Sequence, residues 1–152
     1  MNHLILIEKP KQRVYTKELE ERAIEFHGHG GPFMVIGLRM GLLALNKLDA
    51  KGWFNLECTV ALNWVPPDSC VIDGIQSSTG CTIGKHNIEV IRGDGISAVF
   101  SAGGTSIRVS LRDEILAEIK TVLDEGSEKV NKLMKRLVEN DFYDLFLVEN
   151  NV

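Results

Sequence analysis

The sequence predicts an α+β fold in which an antiparallel sheet of about four strands packs with a buried central helix and C-terminal helices. Three observations support this fold class. Residues 33–45 are almost continuously apolar, residues 54–64 alternate between apolar and mostly polar side chains, and residues from 113 onward follow amphipathic helical patterns. Helical patterns and strand patterns therefore occupy separate parts of the chain, as is typical of α+β proteins.

The first two predicted helices meet at a glycine-rich turn. Thr16 can cap a helix whose early turns carry acidic residues, which suit the positive end of the helix dipole. Glycines after residue 27 end this helix, and Pro32 suits the first turn of a second helix that extends to about Leu48. The second helix is apolar on nearly every side, so it should be the buried central element. Gly37 and Gly41 share one of its faces and permit a neighbouring element to pack closely.

Four segments have the pattern of strands. The alternation from Phe54 to Trp64 predicts a strand with one buried face, and Cys58 falls on that face. Three more strands are predicted over residues 87–92, 96–102 and 105–111. The dipeptides between them, Asp94-Gly95 and Gly103-Gly104, are typical of tight hairpins, so these three strands are expected to form an antiparallel meander.

A short helix is predicted between the first strand and the second. It runs from about Cys70 to Thr79 and ends at Gly80 in the left-handed conformation. Asp68 or Ser69 can cap its first turn. Cys70 lies in that turn, where free backbone N–H groups and the positive end of the helix dipole stabilise a thiolate. We therefore expect Cys70 to be a better ligand or nucleophile than a cysteine placed elsewhere.

The C-terminal part of the chain is predicted to be helical and to end in an apolar tail. One amphipathic helix is predicted from Asp113 to Gly126 and another from Ser127 onward. Basic residues of the second helix have helical spacing among acidic ones, which predicts a solvated face: Lys129, Lys132, Lys135 and Arg136. The tail over residues 142–148 is too apolar to remain in solvent, so it should dock on the core or on another subunit.

The composition is that of an ordinary globular protein. A chain of 152 residues fits one domain, and we expect residues 1–152 to form it. The formal net charge of -4 argues against binding to nucleic acid. Residues 1–7 are too short for the core of a signal peptide, and no segment is apolar over the length that spans a membrane. Three cysteines do not suggest a disulfide framework, so a reduced, cytoplasmic protein is expected.

The side chains suited to chemistry are concentrated in two short segments bordered by glycine. His27-Gly28-His29 places two imidazoles where glycines let both turn towards one point, and imidazole suits zinc, nickel, copper or iron. The alternative is a histidine that only complements the dipole at the end of a helix. Cys81 lies between glycines that expose its thiol, and Lys85 could lower the pKa of that thiol or hold an anionic group.

Geometry limits how these groups combine. Eleven residues of helix would separate Cys70 from Cys81 by roughly 16 Å, whereas zinc ligands lie only about 2 Å from the ion. We expect one cysteine, with Cys70 favoured, to join His27 and His29. Cys81 would then face the same cleft, act alone or meet a site across a dimer interface. Reserve ligands or supporting partners of the metal ligands are Asp68, Asp73 and His86.

Two motifs resemble those of the E-subunit family of formylmethanofuran dehydrogenase. The family's F-H-G-H-x-C-P-G opening resembles residues 26–32, and its signature C-x-x-D-[AG]-I-Q-x-x-T-G-C-T-x-G-K resembles residues 70–85. The resemblance covers roughly residues 16–111. It implies an α+β core, usually paired as a homodimer, with the histidines and cysteines around a metal-binding cleft.

The resemblance also implies partners, and the chain departs from the family's pattern at several positions. The family is associated with a molybdenum- or tungsten-dependent complex of one-carbon metabolism, so subunits of a larger oxidoreductase are candidate partners. Gly31 stands where the family has a cysteine, and His86 stands where glycine is common. We hypothesise that His86 partly replaces the lost thiol. No cysteine follows Cys81, so the zinc finger that longer members carry at the C-terminus is not expected here.

Three functions are compatible with the sequence. The first is a metal-binding protein that uses zinc, or else nickel or iron, and serves one-carbon or redox metabolism. Its expected ligands are His27, His29, Cys70 and Cys81. The second is a thiol enzyme with Cys81 as nucleophile and Lys85 as its activating partner. The third is a non-catalytic interaction subunit with a degenerate site.

Overall fold

The computed structural model describes residues 5, 7 and 9–152. Six helices lie in this part of the chain: α1 (Lys17–His27), α2 (Pro32–Leu48), α3 (Cys70–Thr79), α4 (Asp113–Leu123), α5 (Ser127–Glu139) and α6 (Phe142–Leu145). Its five strands are β1 (Glu57–Leu62), β2 (Ile88–Arg92), β3 (Ile96–Ala102), β4 (Thr105–Leu111) and β5 (Phe146–Asn150). The predicted α+β class is confirmed, with five strands where about four were expected.

The helix boundaries follow the sequence signals closely. The Thr16 side chain accepts a hydrogen bond from the Leu19 amide, and Gly28 ends α1 in the left-handed conformation. Pro32 opens α2, as predicted. None of the described helices is both long and apolar enough to cross a membrane. Apart from Ile5 and Ile7, the apolar segment over residues 1–7 lies outside the described residues.

The strand order of the sheet differs from the prediction. The order is β2-β1-β3-β4-β5, with β1 parallel to β2 and antiparallel to β3. The predicted meander is therefore wrong for its first pair, whereas β3 and β4 form the hairpin expected at Gly103-Gly104. The link from β2 to β3 passes the end of β1, where the Gly93 amide donates to the Leu62 carbonyl at 3.0 Å. A turn dipeptide predicts a reversal of the chain, but not which strands pair.

One face of the sheet packs against the helices. In β1 the side chains of Cys58, Val60 and Leu62 are buried, and the intervening residues are more exposed. The strand is shorter than the predicted 54–64 because Trp53–Asn55 form a short 3₁₀ helix. All residues of α2 from Pro32 to Leu45 are buried, which confirms α2 as the central element.

α2 carries a buried cation that orients the C-terminal helices. Arg39 donates from Nη1 to the carbonyls of Leu137 and Val138, at 2.6 and 2.7 Å, and from Nη2 to the carbonyl of Asn140 at 2.7 Å. Its guanidinium lies 4.5 Å from the centroid of the Phe142 ring. The last carbonyls of a helix lack partners within the helix, so Arg39 caps α5 and fixes it to α2.

The apolar tail docks on the core of its own chain, which is one of the two outcomes that the sequence predicted. β5 pairs antiparallel with β4, so that Phe146 lies opposite Leu111. Leu145 and Phe146 are fully buried. The Arg112 amide donates to the Leu145 carbonyl at 2.9 Å and joins the start of α4 to the tail.

α2 and α3 cross with their backbones in contact. A Cβ atom at Gly37 would overlap the carbonyl oxygen of Val71, and one at Gly74 would overlap the carbonyl oxygen of Met34. A Cβ atom at Gly41 would overlap a side chain of α3. Only glycine fits at these positions, which confirms the close packing predicted for Gly37 and Gly41 and adds Gly74 from the other helix.

Replacing Gly74 by alanine should destabilise the fold severely, because the added methyl group would overlap the backbone of α2. We expect the free energy of unfolding to fall by about 3 kcal/mol, the upper end for overpacking. Gly84→Ala is the matched control, since nothing lies within 4 Å of its Cβ position. Urea unfolding followed by circular dichroism compares the two variants. Equal unfolding midpoints would contradict the backbone contact between α2 and α3.

Candidate functional site

The two histidines are brought together by the end of α1. Gly28 has a φ of 100°, and its amide donates to the Ile24 carbonyl at 2.7 Å. This left-handed residue reverses the chain directly after His27. The ring of His29 consequently lies beside that of His27, with a centroid separation of 4.6 Å and an interplanar angle of 50°. The two imidazoles are therefore adjacent, as expected, and their convergence on a single ion stays a prediction.

His27 is held by a carboxylate from α3. Its Nδ1 lies 2.5 Å from Oδ2 of Asp73, and only 8% of the His27 side chain is exposed. A carboxylate accepts, so Nδ1 carries the hydrogen, and in the neutral form of the ring Nε2 then has a free lone pair. That Nε2 atom is buried and finds no hydrogen-bond partner among the described residues. A buried acceptor without a partner is rare, and it needs an explanation.

The position of the missing family cysteine is part of this cluster. A Cβ atom at Gly31 would lie 3.2 Å from Cε1 and 3.5 Å from Nδ1 of His29. Gly31 has a φ of −156°, which is extended backbone that any residue can adopt. A cysteine at position 31 would therefore bring its Cβ into tight contact with the ring of His29, and the glycine supplies no sulfur donor there.

Cys70 lies on the same face of α3 as Asp73, three residues earlier, but its thiolate is not stabilised as predicted. The backbone amides of Cys70, Val71 and Ile72 donate to carbonyls of the preceding turn, so they are not free. Ser69 precedes the helix without making a side-chain cap. Burial raises the pKa of the Cys70 thiol, and the negative charges of Asp73 and Asp68 raise it further.

Asp68 does not cap α3 through its side chain. It is buried, and its Oδ2 lies 3.2 Å from Nζ of Lys120 in α4. Cys70 therefore has a carboxylate on either side, at Asp68 and at Asp73, each already paired with one basic group. The local charge favours a cation over a thiolate at this end of α3.

Cys81 lies at the other end of α3, directly after the left-handed Gly80 that ends the helix. It is completely buried, and its thiol donates to the Leu56 carbonyl at 3.6 Å. Burial raises the pKa of this thiol, and the Lys85 charge offsets that effect only in part. Lys85 donates to Oγ1 of Thr82 at 2.7 Å. A role for Cys81 as nucleophile or metal ligand stays a prediction, which its burial disfavours.

His86 does not join the other histidines. It lines a concavity of about 260 Å³ with residues of β1, β2 and β3, including Glu57 and Glu89. This concavity lies beyond the Cys81 end of α3, so the structure does not support His86 as a replacement for the lost thiol. No group of three or more His, Cys, Asp or Glu side chains in the described part of the chain is arranged to hold a metal ion.

Comparison with known proteins places the chain in a family. The family described as "FmdE, Molybdenum formylmethanofuran dehydrogenase operon" matches residues 26–146, which include His27, His29 and all three cysteines. The chain belongs to the FmdE family. The resemblance predicted from the two motifs is confirmed.

One relative of this FmdE-family chain is similar in fold over most of its length, and another is similar in sequence over a shorter segment. The crystal structure of a tungsten formylmethanofuran dehydrogenase FmdE-like protein from Syntrophus aciditrophicus aligns with a TM-score of 0.67. It is 21% identical, and the alignment covers 95% of this chain and 76% of that one. A "Probable S-adenosyl-L-methionine-binding protein" of Archaeoglobus fulgidus is 41% identical over 71 residues. That match covers 44% of this chain but 19% of the relative, so the chain spans about a fifth of its length.

From the sequence, Asp73 was expected only as a reserve metal ligand or as a supporting partner of the ligands. In the structure it is the hydrogen-bond partner of His27. The two residues are 46 positions apart, and no local pattern reveals such a contact. The available signal was the C-x-x-D spacing of the FmdE motif, which keeps Asp73 on the helix face of Cys70.

Alkylation by iodoacetamide should distinguish the three cysteines. Because its pKa is raised, Cys70 should react more slowly at pH 7 than a free thiol, and its rate should still be rising above the pH where ordinary thiols level off. Asp73→Asn removes one negative charge and should speed the reaction severalfold, whereas Asp124→Asn on the exposed end of α4 should not. Mass spectrometry measures the rates. Modification of Cys58 or Cys81 before Cys70 would contradict the observed burial.

Proposed function

We propose that the chain is a metal-binding protein in which His27 and His29 hold a transition metal ion and Asp73 orients His27. Zinc is the expected ion, with nickel or iron as alternatives. One observation carries the proposal: the Nε2 atom of His27 is buried, has no partner among the described residues, and lies beside a second imidazole. In metal-binding histidines, the ring nitrogen that does not bind the metal commonly donates a hydrogen bond to a carboxylate. His27 has such a contact, from Nδ1 to Asp73.

The chemistry of the neighbouring groups supports a cation at this place. Cys70 and Asp73 share one face of α3, and both carboxylates near Cys70 raise its pKa. A divalent cation would reverse that effect, because a coordinating thiol is deprotonated by the metal. The described residues provide two adjacent imidazoles but not three donors arranged for an ion. We infer that Cys70, water or a group from a second copy completes the coordination.

The partners are proposed from the family. FmdE is described by its place in a molybdenum formylmethanofuran dehydrogenase operon. We infer that this chain forms a homodimer and acts beside the subunits of such an oxidoreductase, in one-carbon or redox metabolism. A metal held by imidazoles would supply Lewis acidity or a site for a ligand of a partner chain.

The second candidate is a non-catalytic interaction subunit whose site is degenerate. Two observations favour it: glycine replaces the family's cysteine at position 31, and no three-donor group is found among the described residues. The thiol enzyme has no such support, because Cys81 is completely buried. Metal affinity separates the first two candidates directly.

Removing the lone pair of His27 should abolish metal binding. We expect His27→Ala to lose stoichiometric zinc, and Asp73→Asn to bind zinc roughly 10- to 100-fold more weakly, as is usual when the carboxylate partner of a ligand is lost. His86→Ala is the matched control, because that imidazole lies on the sheet side of the molecule. Elemental analysis and competition with a chromophoric chelator measure the affinities. If the unsubstituted protein binds no more zinc than His27→Ala, the interaction subunit is the better proposal.

Restoring the family's sulfur should strengthen the site. Gly31→Cys places a thiol beside His29, and we expect cobalt(II) to bind about tenfold or more tightly. A thiolate-to-cobalt charge-transfer band should appear in the near ultraviolet. Gly31→Ser has nearly the same size without a soft donor, so it should show neither effect. An identical spectrum for the two variants would place the metal away from His29.

A further inference from the structure

A second concave site lies at the Cys81 end of α3, away from the histidines. It is a cavity of about 450 Å³, which is within the range of small-molecule sites. Its apolar walls come from two parts of the chain. They are formed by Ile5, Ile7, Trp53 and Phe54. Phe54 is 82% exposed, an unusual position for an aromatic ring unless something covers it.

Trp53 is a fixed platform within this cavity. A Cβ atom at Gly80 would lie 2.5 Å from Cδ1 of the indole, so the glycine of the T-G-C motif lets the ring pack against the backbone. The Trp53 carbonyl accepts a hydrogen bond from Nδ2 of the buried Asn87 at 2.6 Å. Trp53 itself has a φ of 54°, which is strained for a bulky residue. The indole thus packs on Gly80, while Asn87 holds the backbone of Trp53.

The rim of the cavity is cationic. Lys51 and Lys85 line it, and the Lys11 ammonium lies 5.1 Å from the centroid of the Trp53 ring. The Lys85 ammonium lies 5.7 Å from the centroid of the Phe54 ring. Burial lowers the pKa of Lys11, and the like charges of Arg22 and Lys85 lower it further. Within the described residues, none of the three lysines lies within 4.0 Å of a carboxylate.

We propose that this cavity binds an aromatic ring compound that carries one anionic group, either a phosphate or a carboxylate. The ring would lie against Trp53 and Phe54, and the anion would neutralise the cluster formed by Lys11, Lys51 and Lys85. The described carboxylates do not pair with Lys11 or Lys85, and a bound anion would offset the repulsion between these two cations. Ile5, Ile7 and Lys11 precede the residues that match the FmdE family, so the matched segment supplies only part of the site.

The test uses the whole chain and the fluorescent probe 8-anilinonaphthalene-1-sulfonate, a ring compound with one anionic group. Binding is followed by energy transfer from Trp53 in a Trp64→Phe background, where it is the only tryptophan. Lys85→Gln and Lys51→Gln should each weaken binding about fivefold, and Lys129→Gln on the exposed face of α5 should not change it. Circular dichroism confirms that each variant is folded. The neutral analogue N-phenyl-1-naphthylamine should bind all variants equally.

Competition then identifies the anionic group. Adenosine 5′-monophosphate and 1-naphthoate are added to the probe complex, and displacement by one of them is expected to show whether phosphate or carboxylate is preferred. The proposal is overturned if Lys85→Gln and Lys51→Gln bind the sulfonate as tightly as Lys129→Gln does. It is also overturned if neither competitor displaces the probe.

Discussion

The contact between the backbones of α2 and α3 determines where every candidate functional group lies. Gly37 on one helix and Gly74 on the other leave no room for a side chain, so the backbones of the two helices pack directly against each other. Asp73 is the neighbour of Gly74 in sequence, and this crossing therefore sets the place to which His27 must reach. The two ends of α3 then carry two chemically different surroundings, one with imidazoles and carboxylates and one with aromatic rings and lysines.

Electrostatics distinguishes the two ends of α3. At the first end, Asp68 and Asp73 are paired with Lys120 and His27, and the nearby thiol of Cys70 is held protonated. A metal ion there would displace the thiol proton, so binding would be accompanied by proton release. At the second end, burial lowers the pKa of Lys11, and the like charges of Arg22 and Lys85 lower it further. The fold thus places a region with two carboxylates near one end of α3 and a region with several lysines near the other.

The sequence predicted individual elements better than the relations between them. Capping by Thr16, the glycine after α1 and the apolar α2 are local signals, and their helices begin and end within a residue or so of the predicted positions. Alternation in β1 shows which face is buried, but it does not reveal the neighbouring strands, so the insertion of β1 between β2 and β3 was missed. The contacts of Arg39 join residues 98 or more apart, and they have no local signature. The predicted stabilisation of a Cys70 thiolate was wrong. The backbone amides that would have stabilised it already donate hydrogen bonds to carbonyls of the preceding turn.

The place of β5 in the sheet bears on how the protein is made. β4 pairs with β3 on one side, and its other edge is completed only by residues 146–150. Until residues 146–150 have joined the sheet, the unpaired N–H and C=O groups of β4 are therefore exposed along one edge. Such an edge can pair with the same strand of a neighbouring nascent chain on a polysome. Rapid docking of Leu145 and Phe146 against the core would cover the edge of β4 and prevent this pairing between chains.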